Sequence, residues 1–154
     1  MNSYANNMLD LNPDFKEFIE LLNAHEVEYL VVGGYAVAFH GRPRFTGDID
    51  FWIAISSVNA SRIRHVLDEF GFSSLPLTAA DFQGPDLVIQ LGYEPNRIDI
   101  LTSVTGLTFD ECYARSVKAD FNGLLVNFIH LNDLKVNKAA TGRGKDIGDL
   151  ENLP

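Results

Sequence analysis

Residues 48–53 read Asp-Ile-Asp-Phe-Trp-Ile, two carboxylates one residue apart inside an apolar run. In an extended strand alternate residues share a face, so Asp48 and Asp50 point one way while Ile49, Phe51 and Ile53 pack the other. Two like charges this close repel and lose hydration unfavourably unless a cation sits between them. Magnesium fits that need, because it takes oxygen donors and commonly combines one or two carboxylates with substrate phosphates. The same alternation in "RIDIL", residues 97–101, sets Asp99 opposite Ile98 and Ile100. Three carboxylates from two strands are enough to hold two metal ions for an in-line displacement. The structural alternative is a solvated sheet face. A D-x-D also serves metal-dependent glycosyltransferases, but those need a larger chain with a nucleotide-sugar domain.

Upstream, Gly33 and Gly34 fall where a strand gives way to a helix. Amides at a helix N-terminus attract phosphate, and glycine lets the backbone approach it closely. A Gly-Gly pair on its own is also what a tight turn needs. The chain has no G-x-x-x-x-G-K-[ST] and no G-x-G-x-x-G, which excludes a Walker loop and a dinucleotide fingerprint. Positive charge is concentrated near these elements: of twelve Lys and Arg, six are Arg42, Arg44, Lys135, Lys138, Arg143 and Lys145. The first 28 residues carry six acids and only Lys16. Such a local basic cluster suits a pocket for a small polyanion.

The elements that must position these groups follow from pattern. "NPDFKEFIELLNAH" predicts a helix capped by Asn12, with Pro13 in its first turn and Phe15, Phe18, Ile19 and Leu22 on one apolar face. "EYLVVGG" predicts a buried strand stopped by glycines, "YAVAFHG" a short helix ended by Gly41, and "DIDFWIAI" a second strand. Ser56 or Ser57 caps the helix "VNASRIRHVLDEF", which Gly71 closes. Residues 71–85 read as loop. "DLVIQLG" and "NRIDILTS" are strands joined through "YEPN", and "TFDECYARSV" is a helix capped by Thr108. "VKADF" and "LLVNFIH" flank Asn122-Gly123, a hairpin signal because both turn positions need positive φ. "NDLKVNKAATG" and "KDIGDLENL" close the chain as a helix or helix pair. The order is that of an α+β (mixed α/β) fold, in one domain over residues 1–154.

Taken together, Gly33-Gly34, Asp48-Ile49-Asp50 and Asp99 resemble the signature of the nucleotidyltransferase superfamily with the DNA polymerase β-like fold. "GGYAVAFHGRPRFTGDIDFWI" is similar to the small bacterial branch that includes abortive-infection-type toxin nucleotidyltransferases. Thr46 matches the hydroxyl residue that precedes the D-x-D there. "KAATGRGKDIGDL" resembles that branch's C-terminal motif through Lys138, Arg143, Lys145, Asp146 and Asp149. The resemblance implies a small mixed sheet flanked by helices and Mg²⁺-dependent transfer of a nucleoside monophosphate from an NTP to an acceptor hydroxyl. Asp48, Asp50 and Asp99 would hold two Mg²⁺ ions, or Mn²⁺ in their place. Gly33, Gly34, Arg44, Thr46, Lys138 and Asp146 would contact the nucleotide, with Lys138 also countering charge on the leaving group. The acceptor is left open among a small molecule, RNA and a protein side chain. An antitoxin-like partner protein fits the toxin branch. A non-catalytic nucleotide-binding or interaction module is the alternative from another class.

Lys138 lies four residues after Leu134 and so on the same helix face. It therefore turns toward the protein and needs an anion, either Asp146 or a triphosphate. Composition narrows the rest. The chain has 154 residues, 46% of them apolar and 21% charged, which is a globular balance with length enough for a core. A net charge of −9 disfavours a broad nucleic-acid footprint. The N-terminus shows no signal-peptide pattern, no apolar run reaches membrane-spanning length, and the single Cys112 fits a reducing compartment, so a cytoplasmic protein is expected. The four histidines lack zinc spacing, with only His40 near the glycines. Cys112 reads as a small core residue and Trp52 as packing under the closing helix.

Overall fold

The structure, a computed structural model, describes residues 11–41 and 46–154. Helix α1, Pro13–Ala24, starts where Asn12 accepts a hydrogen bond from the Asp14 amide at 2.7 Å, with Pro13 in the first turn. Its apolar face is wholly buried: Phe15, Phe18, Ile19 and Leu22 are all 0% exposed. Strand β1, Tyr29–Val32, runs directly into α2, Gly33–His40, which Gly41 ends. Strand β2, Ile49–Ile53, is followed by α3, Ser57–Leu67, capped by the Ser56 hydroxyl. The remaining elements are β3 (Val88–Leu91), β4 (Ile98–Leu101), α4 (Phe109–Ala114), β5 (Val117–Phe121), β6 (Leu124–Phe128), α5 (Leu131–Thr141) and α6 (Gly144–Glu151).

The strands form one mixed sheet in the order β3-β4-β2-β1-β6-β5. β2 is antiparallel to β1 and parallel to β4, and β1 is parallel to β6. Alternation along β2 sorts its side chains cleanly. Phe51 faces α1, its ring 5.4 Å from Phe18 and 5.7 Å from Tyr29. Asp50 and Trp52 face the other way, toward the side bordered by α4, α5 and α6. Trp52 packs edge-on against Phe109 of α4 at 5.2 Å, rather than under the closing helices. Cys112 is buried in the same core.

Three local readings are corrected. The helix after β2 ends at Leu67 and passes into a π-type turn over Asp68–Phe72, because Gly71 adopts φ 104°. Within the expected loop at 71–85, a 3₁₀ turn over Ala79–Gln83 is pinned by the wholly buried Phe82 and by Asp81 accepting from the Thr78 amide. Thr108 precedes α4 but does not cap it, since its hydroxyl donates to Glu111 instead. The Asn122-Gly123 turn has φ of 55° and 94°, the paired positive values of a tight hairpin. The C-terminus is a helix pair, broken where Gly142 turns left-handed at φ 64°. Among the described residues no helix is long and apolar enough to cross a membrane.

Candidate active site

The parallel pairing of β2 with β4 sets Asp50 in register with Asp99, so the two carboxylates stand side by side on one face of the sheet. Asp48, one residue before β2, accepts the Arg97 amide at 3.0 Å and so ties the start of β2 to the start of β4. All three aspartates line a cavity of about 580 Å³, with Gly34, Thr46, Glu94, Arg97, Arg143 and Lys145 also in its wall. A second cavity, of about 670 Å³, lies beyond Asp50 and shares Gly34, Asp50, Arg143 and Lys145 with the first. Its outer wall is more neutral and includes Val88, Leu101, Ser103, Thr105 and Asn137.

Gly33 is required twice over. Its φ of +67° is one that side chains rarely adopt, and a Cβ there would sit 2.1 Å from Asp50 Oδ2. The start of α2 thus presses bare backbone against the Asp50 carboxylate. Gly33→Ala is expected to cost about 1–2 kcal/mol of stability from the left-handed backbone. By pushing Asp50 aside it should also reduce any turnover by about 10²-fold, the usual penalty for a misplaced catalytic group. Thermal melts and a turnover assay on the same preparation check both.

Burial, reinforced by the neighbouring Asp99 charge and a shared hydrogen bond with it, pushes the Asp50 carboxyl up to about 7. Asp48 adds to the rise and Lys138 opposes it. Arg97 is the local counter-charge. Its Nε donates to Asp99 Oδ1 at 2.7 Å and its Nη2 to Asp99 Oδ2 at 3.0 Å, while Nη2 also lies 3.3 Å from Asp48 Oδ2. Nη1 donates to Glu94 at 3.0 Å. The hydrogen bonds to Asp99 hold the guanidinium more firmly protonated than usual. Arg97 and Glu94 were missed in the sequence, although Arg97 lies two residues before Asp99 and so shares its face.

The C-terminal residues form a buried ion cluster. Lys138 is 4% exposed and its Nζ lies 3.2 Å from both Asp146 and Asp149. Asp146, wholly buried, also accepts from Thr141 at 2.6 Å and from Arg143 Nε at 2.6 Å. The Arg143 hydrogen bonds, followed by those of Thr141 and Lys138, hold its carboxyl well below the usual carboxylate range. Of the two anions open to Lys138 from the sequence, Asp146 is paired with it here, joined by Asp149, and Lys138 also lines the second cavity. Asp146, expected to contact nucleotide, is wholly buried and holds Arg143, which lines the cavity. Thr46 stands in that wall near Asp48, whereas Arg44 lies outside the described residues. His40 is turned away from the aspartates, its Nε2 2.6 Å from the Ile129 carbonyl.

A sequence profile for a family described as "nucleotidyl transferase of unknown function (DUF2204)" matches residues 12–154. The chain belongs to this family. The nucleotidyl transferase assignment covers every element described above, both strands bearing the aspartates included. Among solved structures, a "putative nucleotidyltransferase" from Thermotoga maritima is similar over 88% of this chain and 87% of its own, with a TM-score of 0.58 at 14% identity. That likeness shows the fold. No curated protein matches the chain significantly.

Proposed function

We propose that the chain transfers a nucleoside monophosphate from an NTP to an acceptor hydroxyl, using divalent metal held by Asp48, Asp50 and Asp99. The observation that carries this reading is the register pairing of Asp50 with Asp99 against the bare backbone of Gly33. Burying two acids side by side is unfavourable unless something positive is meant to join them.

The residues fit Mg²⁺ or Mn²⁺ by their chemistry. They are hard oxygen donors, burial and the neighbouring Asp99 charge push the Asp50 carboxyl up, and a guanidinium already bridges the other two. Among the described residues no three acidic, His or Cys side chains are grouped closely enough to hold an ion, so the three aspartates would have to draw together around one. Asp48 and Asp50 would hold the metal nearest the triphosphate, and Asp99 would complete the set. When bound, the metal would withdraw charge from the phosphates and lower the barrier to displacement.

The chain's own residues account for the rest. Amides at the start of α2, with Thr46, Arg143 and Lys145, bind the triphosphate from the shared mouth of the two cavities. The acceptor oxygen attacks the α-phosphorus, the bond from that phosphorus to the bridging oxygen breaks, and pyrophosphate leaves. Asp99 takes the acceptor proton. Arg143 and Lys145 neutralise charge that grows on pyrophosphate. The second cavity is where the acceptor enters, and its volume of about 670 Å³ and uncharged outer wall suit a small hydroxylated molecule or one end of a larger one. The net charge of −9 disfavours a long RNA acceptor.

Incubation with each labelled NTP, Mg²⁺ and a cell extract tests the reading. Label should pass to one acceptor class with the wild type and to none with Asp50→Asn. NTP binding without transfer under any condition would instead make the chain a nucleotide-binding module.

A further inference from the structure

Arg97 holds a position that a purely structural arginine would not need. Asp48 is already tied to β4 through the Arg97 amide, so the strand junction survives without the side chain. The guanidinium nevertheless reaches back across the carboxylates, forked onto Asp99 and against Asp48, and only 21% of the side chain is exposed. Its third arm ends on Glu94, whose side chain is 67% exposed at the cavity rim. One positive group therefore lies between two acids inside the cleft and one at its edge.

We infer that Arg97 is the resident cation of the carboxylate cluster, that a divalent metal must displace it from Asp48 and Asp99, and that Glu94 is the anchor to which it then turns. This rests on the metal-dependent reading above. A cation held this way prevents the metal-free cluster from being an uncompensated knot of charge, since paired carboxylates in low dielectric otherwise oppose folding. The planar fork suits this post, because it satisfies a carboxylate bidentately in a way that a lysine cannot. It also sets a threshold for loading: metal affinity equals the intrinsic affinity of the carboxylates reduced by whatever holds Arg97 on them.

The test is metal binding by the full chain, read from the free Mn²⁺ signal in electron paramagnetic resonance and from the Arg97 Nε–H resonance during Mg²⁺ titration. Arg97→Gln is expected to bind Mn²⁺ about tenfold more tightly than wild type, the equivalent of one charge-assisted contact no longer being broken. Glu94→Gln should weaken binding about threefold in the wild-type background and have no effect once Arg97 is Gln, because only then is there no displaced arm to receive. In wild type the Nε–H resonance should lose its protected, hydrogen-bonded shift as Mg²⁺ saturates. Should Arg97→Gln fold poorly, Arg97→Lys gives the same direction at smaller size. Equal or weaker Mn²⁺ binding by the Arg97 variants, a Glu94 effect that persists without Arg97, or an unmoved Nε–H signal overturns the inference. If wild type binds neither Mn²⁺ nor Mg²⁺, it is the metal-dependent reading itself that fails.

Discussion

Asp50→Asn is expected to remove nucleotidyl transfer, by on the order of 10³-fold or more, while making the metal-free protein more stable. Both effects have one origin. The Asp50 carboxyl, ordinarily near 3.8, is pushed up to about 7 by burial beside Asp99. Below about pH 4 the group is protonated in folded and unfolded chains alike and has no net effect. Between about 4 and 7 the unfolded chain releases the proton that the folded chain retains, so the unfolded state binds fewer protons and stability falls as pH rises. Above 7 the whole penalty applies. Asparagine keeps the shape and cannot ionise, so the melting temperature of Asp50→Asn should exceed that of wild type by a margin that widens from pH 5 to pH 8. Saturating Mg²⁺ should narrow the gap by stabilising only the wild type. A variant that unfolds, or a margin independent of pH, would mean that Asp50 is held by contacts other than those described.

Lys138→Ala should produce the largest loss of stability of any single lysine change. Its ammonium is buried between Asp146 and Asp149, with side-chain exposures of 5%, 0% and 4% for the three residues. Removing one partner of a buried pair leaves the opposite charge without compensation, which costs about 3–5 kcal/mol. Asp146 keeps Arg143 and Thr141, so the lower end of that range applies. The resemblance gives Lys138 the role of countering charge on the leaving group; its double engagement by Asp146 and Asp149 sets the expected cost to stability above the cost to turnover. Lys135→Ala, three residues earlier, loses only an exposed contact with the Pro154 carbonyl and should shift the denaturation midpoint little. Similar small shifts for both variants in urea titrations would count against the buried cluster.

The parts of the fold that could be read from the chain are those governed by local rules. Asn12 and Pro13 announced α1, Asn122-Gly123 announced the β5–β6 hairpin, and alternation around Asp50 and Asp99 announced which face each carboxylate takes. What stayed hidden depends on pairing between distant segments. Nothing local states that β2 and β4 are parallel and in register, yet that alone makes Asp50 and Asp99 neighbours. Arg97 was legible by period but not by role, because an arginine beside a strand acid is ordinary until Asp48 arrives from 49 residues away. Asp146 shows the converse. Its motif suggested ligand contact, and only tertiary packing reveals that its carboxylate is spent on Lys138, Thr141 and Arg143.

The parallel β2–β4 pairing has a further consequence, for the order of events in folding. β2 and β4 are separated by α3, two irregular turns and β3, so closing them together requires a long loop to surrender its freedom before any contact offsets the loss. The β5–β6 hairpin and the β3–β4 pair are local and cheap to close. Until the crossover shuts, Asp50 and Asp99 belong to separate, solvated segments with no shared affinity for a divalent ion. Under the metal-dependent reading, metal would therefore be unable to nucleate the chain and would only trap it afterwards. Refolding rates should be indifferent to Mg²⁺, while unfolding rates should slow in proportion to its concentration.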